Sequence, residues 1–142
     1  MLKLLLAYDG SEHARRAIAT LAQMARAGAP LEVVLLHVRN GPVYYGELPV
    51  ASIDEIEAAQ KAAQDEILAD ASARALAGGL IVRSVERAVG LPAQEIVRVA
   101  DEQAVDQIVM GTHGRSAMGS LFIGSVAQQV VHLAKLPVLL VK

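Results

Sequence analysis

Residues 105–125 read Val-Asp-Gln-Ile-Val-Met-Gly-Thr-His-Gly-Arg-Ser-Ala-Met-Gly-Ser-Leu-Phe-Ile-Gly-Ser. The stretch opens on a short apolar run, Val105–Met110, with the length and composition of a buried strand. It passes through a loop punctuated by Gly111, Gly114, Gly119 and Gly124. It then enters a helical pattern, Ser125–Lys135, carried by Val126, Val130 and Leu133. A buried strand feeding a helix through a loop is the repeating step of a parallel α/β sheet, so the same alternation is expected on both sides of it.

That alternation is present. Leu2–Tyr8 is a continuous apolar run, and from Ser11 to Gly28 the residues Ala14, Ala17, Ile18, Leu21, Ala22 and Ala25 recur at helical spacing. Ser11 is placed to cap this helix, Glu12 suits its positive end, and Gly28 stops it. Leu31–Val38 is a second apolar strand. Arg39–Val50, with its Gly, Pro and Tyr residues, reads as a loop. Ser52-Ile-Asp-Glu55 has the spacing of a capping box, and a long helix with Ile56, Ala59, Ala63, Ile67 and Ala71 on one stripe is expected to run to Gly78-Gly79. Leu80–Val89 carries Arg83, Glu86 and Arg87 among apolar residues, as an edge strand would. Pro92 opens a third helix over Ala93–Glu102, and Pro137-Val-Leu-Leu-Val141 is a last strand. Five strands alternating with four helices predict a five-stranded parallel sheet with helices on both faces, as a single domain over residues 1–142.

Whole-chain numbers narrow the function. The 142 residues are 54% hydrophobic but only 3% aromatic, so Ala, Val, Leu and Ile must build the core. A formal net charge of −2 opposes bulk nucleic-acid binding, which needs surplus Lys and Arg to displace counterions. With no cysteine there is no disulfide, thiolate metal site or cysteine nucleophile, a composition compatible with a reducing cytosol. The apolar part of Met1–Tyr8 is too short for a signal peptide, and no run approaches the ~20 apolar residues of a membrane span. A cytoplasmic protein with no membrane partner is expected.

In open parallel sheets ligands bind beyond the carboxyl ends of the strands, where the strand order reverses. With the order 3-2-1-4-5, which the fold class suggests, that point lies between Asp9 at the end of strand 1 and Gly111 after strand 4. Glycines between a strand and a helix let backbone approach a ligand closely, with N–H groups turned inward as an anion nest. Gly124-Ser125 at a helix start adds free N–H groups, a hydroxyl and a positive dipole end, which suit phosphate. A merely flexible connection would carry the same glycines.

The spacing Gly111-x2-Gly114-x9-Gly124-Ser125 resembles the signature of the ATP-binding branch of the universal stress protein family. The resemblance extends over essentially the whole chain, through Asp9-Gly-Ser-Glu12, His37-Val38, Gly111-Thr-His-Gly114-Arg115 and Pro137-Val-Leu-Leu-Val141. It implies a Rossmann-like fold of the adenine nucleotide alpha hydrolase type, with ATP as ligand and ADP or AMP as alternatives. Asp9 would lie near base and sugar or help position Mg2+ or Mn2+ on the phosphates. Val38 would meet adenine through its main chain. Gly111 and Gly114 would pass under ribose and phosphates, Gly124 and Ser125 would hold the phosphate tail, and Arg115 would neutralise phosphate charge. The family also points to a homodimer. Val138–Val141, an apolar strand at a sheet edge, is the segment a second copy would cover.

Other schemes fit less well. There is no G-x-x-x-x-G-K-[ST], and no G-x-G-x-x-G follows strand 1. In Gly114-Arg-Ser-Ala-Met-Gly119 the second glycine comes too late for the nucleophile elbow around Ser116. His13, His37, His113 and His132 lack metal-ligand spacing: His13 and His132 read as packed or solvated helix residues, His37 as a structural group beside the crevice, and His113 as facing water or ligand. Tyr44 and Tyr45 could flank a pocket or anchor a loop, and Asp9 could merely cap a helix. The preferred reading is a nucleotide-dependent regulatory module that signals to a protein partner with little or no turnover. A slow ATPase and an interaction protein without nucleotide are the alternatives.

Overall fold

A computed structural model describes residues 1–41, 50–114 and 122–142. Five strands, β1 (Leu2–Ala7), β2 (Leu31–Arg39), β3 (Ile81–Val89), β4 (Gln107–Gly111) and β5 (Val138–Val141), alternate with four helices, α1 (Glu12–Arg26), α2 (Val50–Ala77), α3 (Pro92–Glu102) and α4 (Ser125–Leu133). All pairings are parallel and the strand order is β3-β2-β1-β4-β5, the order the fold class suggests. Element ends lie mostly within one or two residues of the sequence-based expectation.

The continuous apolar runs are explained by burial on both faces of the sheet. Side chains alternate across a strand, so Leu4 and Leu6 of β1, Val33 and Leu35 of β2 and Val109 of β4 pack beneath α1 and α2. Their neighbours Leu5, Val34, Leu36, Ile108 and Met110 pack beneath α3 and α4. Both layers are closed with small residues, Ala14, Ala17, Ala22, Ala71 and Ala75 on one side and Ala93, Ala100 and Ala127 on the other. Alanines on the helices bring them close to the sheet, which is how a chain so poor in aromatics builds two dense cores.

Two expectations for α2 are corrected. The helix begins at Val50, so Ser52 lies inside it and Ser52–Glu55 is not its capping box. The stripe expected through Ile56, Ala59 and Ala63 is exposed. The buried stripe is Gln64, Leu68, Ala71 and Ala75, with Ile67 half-buried. The 28 residues of α2 span roughly 42 Å, and only the second half lies over the sheet. β3 is the polar edge expected of it, with Arg83 paired to Glu32 at 3.3 Å and Arg87 to Asp65 at 2.5 Å. β5 forms the opposite edge.

Candidate functional site

The reversal of strand order puts the ends of β1 and β4 side by side, and a cavity of about 160 Å³ opens there. Its apolar lining includes Ala7, Leu36, Val38, Ile96, Met110 and Val126. Its polar lining includes Asp9, Ser11, His113 and Gly114. Asp9 and Gly111 therefore meet as the topology argument anticipated, and Val38 and Gly114, which the family resemblance added, line the same cavity.

Each is held by local chemistry. β1 makes its last ladder bond from Tyr8 N–H to Leu36 O (2.8 Å), after which the chain turns through Gly10 at φ 80°. Asp9 Oδ1 accepts from Ser11 N (2.9 Å), an Asx turn, while Ser11 Oγ accepts from Ala14 N (3.2 Å) and caps α1. The cap is thus Ser11, and Asp9 orders the turn before it, its other oxygen directed toward Gly114.

β2 runs past the paired part of β1, whose last partner is Leu36. Carbonyls alternate sides along a strand. Leu36 O accepts from β1, whereas His37 O accepts from the Gln64 amide together with Ala88 O of β3. Val38 therefore turns its N–H and C=O to the β1 side, beyond the last β1 pairing and at the cavity.

The glycines have an unexpected reason. None of Gly111, Gly114 and Gly124 adopts positive φ; what they lack is space for a side chain. A Cβ on Gly111 would stand 2.6 Å from His13 Cβ and 3.1 Å from Ala14 N, one on Gly114 2.8 Å from Asp9 Oδ2, and one on Gly124 3.1 Å from Thr112 O. These approaches are to the protein's own atoms: the first turn of α1, the Asp9 carboxylate and the start of the loop. Gly124 N–H donates to Thr112 O at 2.7 Å, tying the two ends of the loop together. It is therefore not one of the free N–H groups expected at the start of α4. Gly124 and Ser125 border the site without lining the cavity; the next residue, Val126, does line it. Arg115, Ser116, Gly119, Tyr44 and Tyr45 lie outside the described residues.

Thr112 and Tyr8 escaped the sequence reading, and His113, left between water and ligand, lines the cavity. Thr112 is buried, and its Oγ1 lies 3.0 Å from His113 Nδ1 and 3.4 Å from His13 Nδ1, with the two imidazole centroids 5.0 Å apart. His113 Nε2 is buried without a hydrogen-bond partner, the kind of group a polar ligand can satisfy. His132 is exposed, as expected. Tyr8 also lines the cavity, and its phenol donates to Asp70 of α2, beside Arg74 (3.0 Å) and Arg15 (3.9 Å). Burial and the Asp70 hydrogen bond push the phenol up, and the phenol in turn holds Asp70 below the usual carboxylate range. Polar residues ending a strand were a usable signal for Tyr8. Nothing local marks Ile96 or Gln64, which reach the site from other elements.

Among the described residues no group of three or more His, Cys, Asp or Glu could hold a metal, and Asp9 is the one carboxylate lining the cavity. A metal carried in on phosphates needs only one or two protein carboxylates, so Asp9 fits that use. No helix among these residues is long and apolar enough to cross a membrane.

The sequence model of the universal stress protein family matches residues 1–142. The chain is 39% identical over 146 residues to the universal stress protein in the QAH/OAS sulfhydrylase 3′ region of Thermus aquaticus, covering 98% of this chain and 97% of that one. It superposes on the universal stress protein UspA of Lactobacillus plantarum with a TM-score of 0.79 at 21% identity (99% and 97% covered), a likeness of fold. A universal stress protein solved in complex with cAMP matches with a TM-score of 0.71 at 26% identity, covering 99% and 97%. The five-stranded parallel sheet and its strand order are those of these structures. The chain belongs to the universal stress protein family.

Proposed function

We propose that this protein binds an adenine nucleotide, ATP foremost, in the cavity between β1 and β4, and acts in the cytoplasm as a nucleotide-dependent regulatory module of the stress response. The observation that carries the reading is the backbone edge of Val38, turned to a largely apolar cavity beyond the end of β1. An N–H donor beside a C=O acceptor complements N1 and the 6-amino group of adenine, and the apolar walls favour a planar base. The related protein solved with cAMP supports an adenine ligand in this fold.

The cavity, about 160 Å³, is smaller than the ~300–1,000 Å³ of sites that enclose a whole ligand, which suits a buried base with an exposed phosphate tail. Asp9 would meet the ribose or hold Mg2+ or Mn2+ on the phosphates, with the backbone of Gly111 and Gly114 beneath. The N-terminus of α4, with the N–H groups of its first turn and the Ser125 hydroxyl, would take the phosphate tail, joined by Arg115. Fast phosphoryl transfer needs, beyond charge neutralisation, a group that orients the attacking water. Among the described residues Asp9 has no second carboxylate beside it in the cavity lining, so we assign little or no turnover; the 111–125 loop, which the nucleotide would order, would be what a protein partner reads.

The test is mass spectrometry of small molecules released from heat-denatured protein, with calorimetric titration of the stripped protein by ATP, ADP, AMP and cAMP and a phosphate-release assay. A Gly124→Asp, Ser125→Ala variant serves as control. Retained or titrated ATP, lost in the variant, is expected; no nucleotide in either measurement would overturn the reading. Steady phosphate release would favour a slow ATPase.

A further inference from the structure

Helix α2 reaches the end of β2 with two glutamines one turn apart. Gln64 is 2% exposed, and its amide nitrogen donates to both His37 O and Ala88 O at 3.0 Å. Gln60 Oε1 accepts from Arg39 Nη1, also at 3.0 Å. The two contacts bracket Val38, one through the carbonyl of the residue before it and the other through the side chain of the residue after it. Arg39 O in turn accepts from Gly90 N (3.0 Å), so β3 closes the same corner.

A buried primary amide is costly unless satisfied, and an apolar residue of similar size would fill the same space beneath α2. What the amide adds is a fixed link between the carbonyl ends of two strands. Rotation of the His37 peptide would swing the next backbone groups, and those are the Val38 N–H and C=O. We propose that Gln64 is a positioning residue for base recognition: by clamping His37 O to Ala88 O it sets the depth and tilt at which Val38 presents its donor and acceptor, and thereby the preference for adenine over guanine. The inference rests on the nucleotide reading above. Guanine offers a donor at N1 and an acceptor at O6, the reverse of adenine. Only a rigid Val38 edge rejects it, because a mobile one relaxes to reduce the mismatch.

The experiment compares wild type with Gln64→Leu, which keeps the bulk but removes both donors, and with Leu68→Ala, one turn along the same helix and 1% exposed. Leu68→Ala weakens the packing of α2 and removes no side-chain hydrogen bond to β2. Affinities for ATP and GTP are measured by calorimetry, and amide exchange is followed in the nucleotide-free proteins. In Gln64→Leu the ATP:GTP preference is expected to fall about tenfold, the equivalent of misplacing one or two hydrogen bonds. Amides of residues 38–40 and 89–90 should exchange faster while β1 and β4 stay protected. Leu68→Ala should retain the wild-type preference. An unchanged preference in Gln64→Leu, or an equal fall in Leu68→Ala, would show Gln64 to be a packing residue only and overturn the inference while leaving nucleotide binding intact. Wild-type protein that binds neither nucleotide would overturn both, so the two failures are distinct.

Discussion

The signature glycines divide into one that the fold needs and one that the site needs, and alanine substitutions at Gly111 and Gly114 should separate them. At Gly111 the new methyl would lie 2.6 Å from His13 Cβ, 3.0 Å from His13 C and 3.1 Å from Ala14 N. Two of those atoms are backbone of the first turn of α1, so relief requires the helix to move by roughly 1 Å against the sheet. Overpacking of this kind costs about 1–3 kcal/mol, offset by about 0.4–1 kcal/mol from the stiffer unfolded chain. A net loss of about 1.3 kcal/mol follows. With an unfolding entropy of about 2.1 cal/mol/K per residue, that lowers Tm by about 4 °C. At Gly114 the one close atom among the described residues is Asp9 Oδ2, at 2.8 Å, the end of a side chain rather than backbone. A rotation of the carboxylate that keeps Oδ1 on Ser11 N relieves the contact without moving backbone, so Gly114→Ala should leave Tm within about 2 °C. The same rotation moves Oδ2 from its place in the cavity, so adenine nucleotide affinity should drop. Thermal unfolding by far-UV circular dichroism and calorimetric titration read the two effects. A Gly111→Ala protein as stable as wild type, or a Gly114→Ala protein as damaged as Gly111→Ala, would refute the assignment.

Three further outcomes are expected. Ser11→Ala removes the oxygen that caps α1 through Ala14 N and should cost about 1 kcal/mol, about 3 °C in Tm; an unchanged melting curve would contradict the cap. Tyr8 is held above the ordinary phenol value of 10.0, so its contribution is fully present below that pH and is lost as pH rises through the raised value. Asp70 is held below the ordinary carboxyl value of 3.8, so its contribution is present above that pH and is lost as pH falls through the lowered value. Tyr8→Phe should therefore flatten both the alkaline and the acid limb of a Tm–pH profile, and limbs as steep as in wild type would refute the phenol's part. Finally, Leu139→Lys with Val141→Lys places charges on the β5 edge, and sedimentation should show monomer if a second copy covers that strand; an unchanged dimer would rule out pairing through β5.

Much of the architecture was legible because burial on both faces makes a strand of a parallel sheet continuously apolar. Leu2–Tyr8, Leu31–Val38 and Val105–Met110 announce themselves without neighbours. The site was legible for a related reason: Asp9 and Gly111 mark where apolar runs stop, and strands stop where the sheet meets the crevice. The α2 stripe was misread because Ile56, Ala59, Ala63, Ile67 and Ala71 satisfy helical periodicity, yet periodicity does not say how far the sheet beneath the helix extends.

From local pattern alone came the alternation of strands and helices, the loop that borders the cavity and the residues that signify the family. Each depends on chain neighbours or on burial that any parallel sheet imposes. Tertiary structure decided which atoms each glycine faces, that Gly124 N–H is spent on Thr112, that Thr112 stands between two histidines, and that Gln64 holds the end of β2. These depend on distances between groups dozens of positions apart in the chain, and such distances are set by the packing of helices on the sheet, which no local spacing of residues encodes.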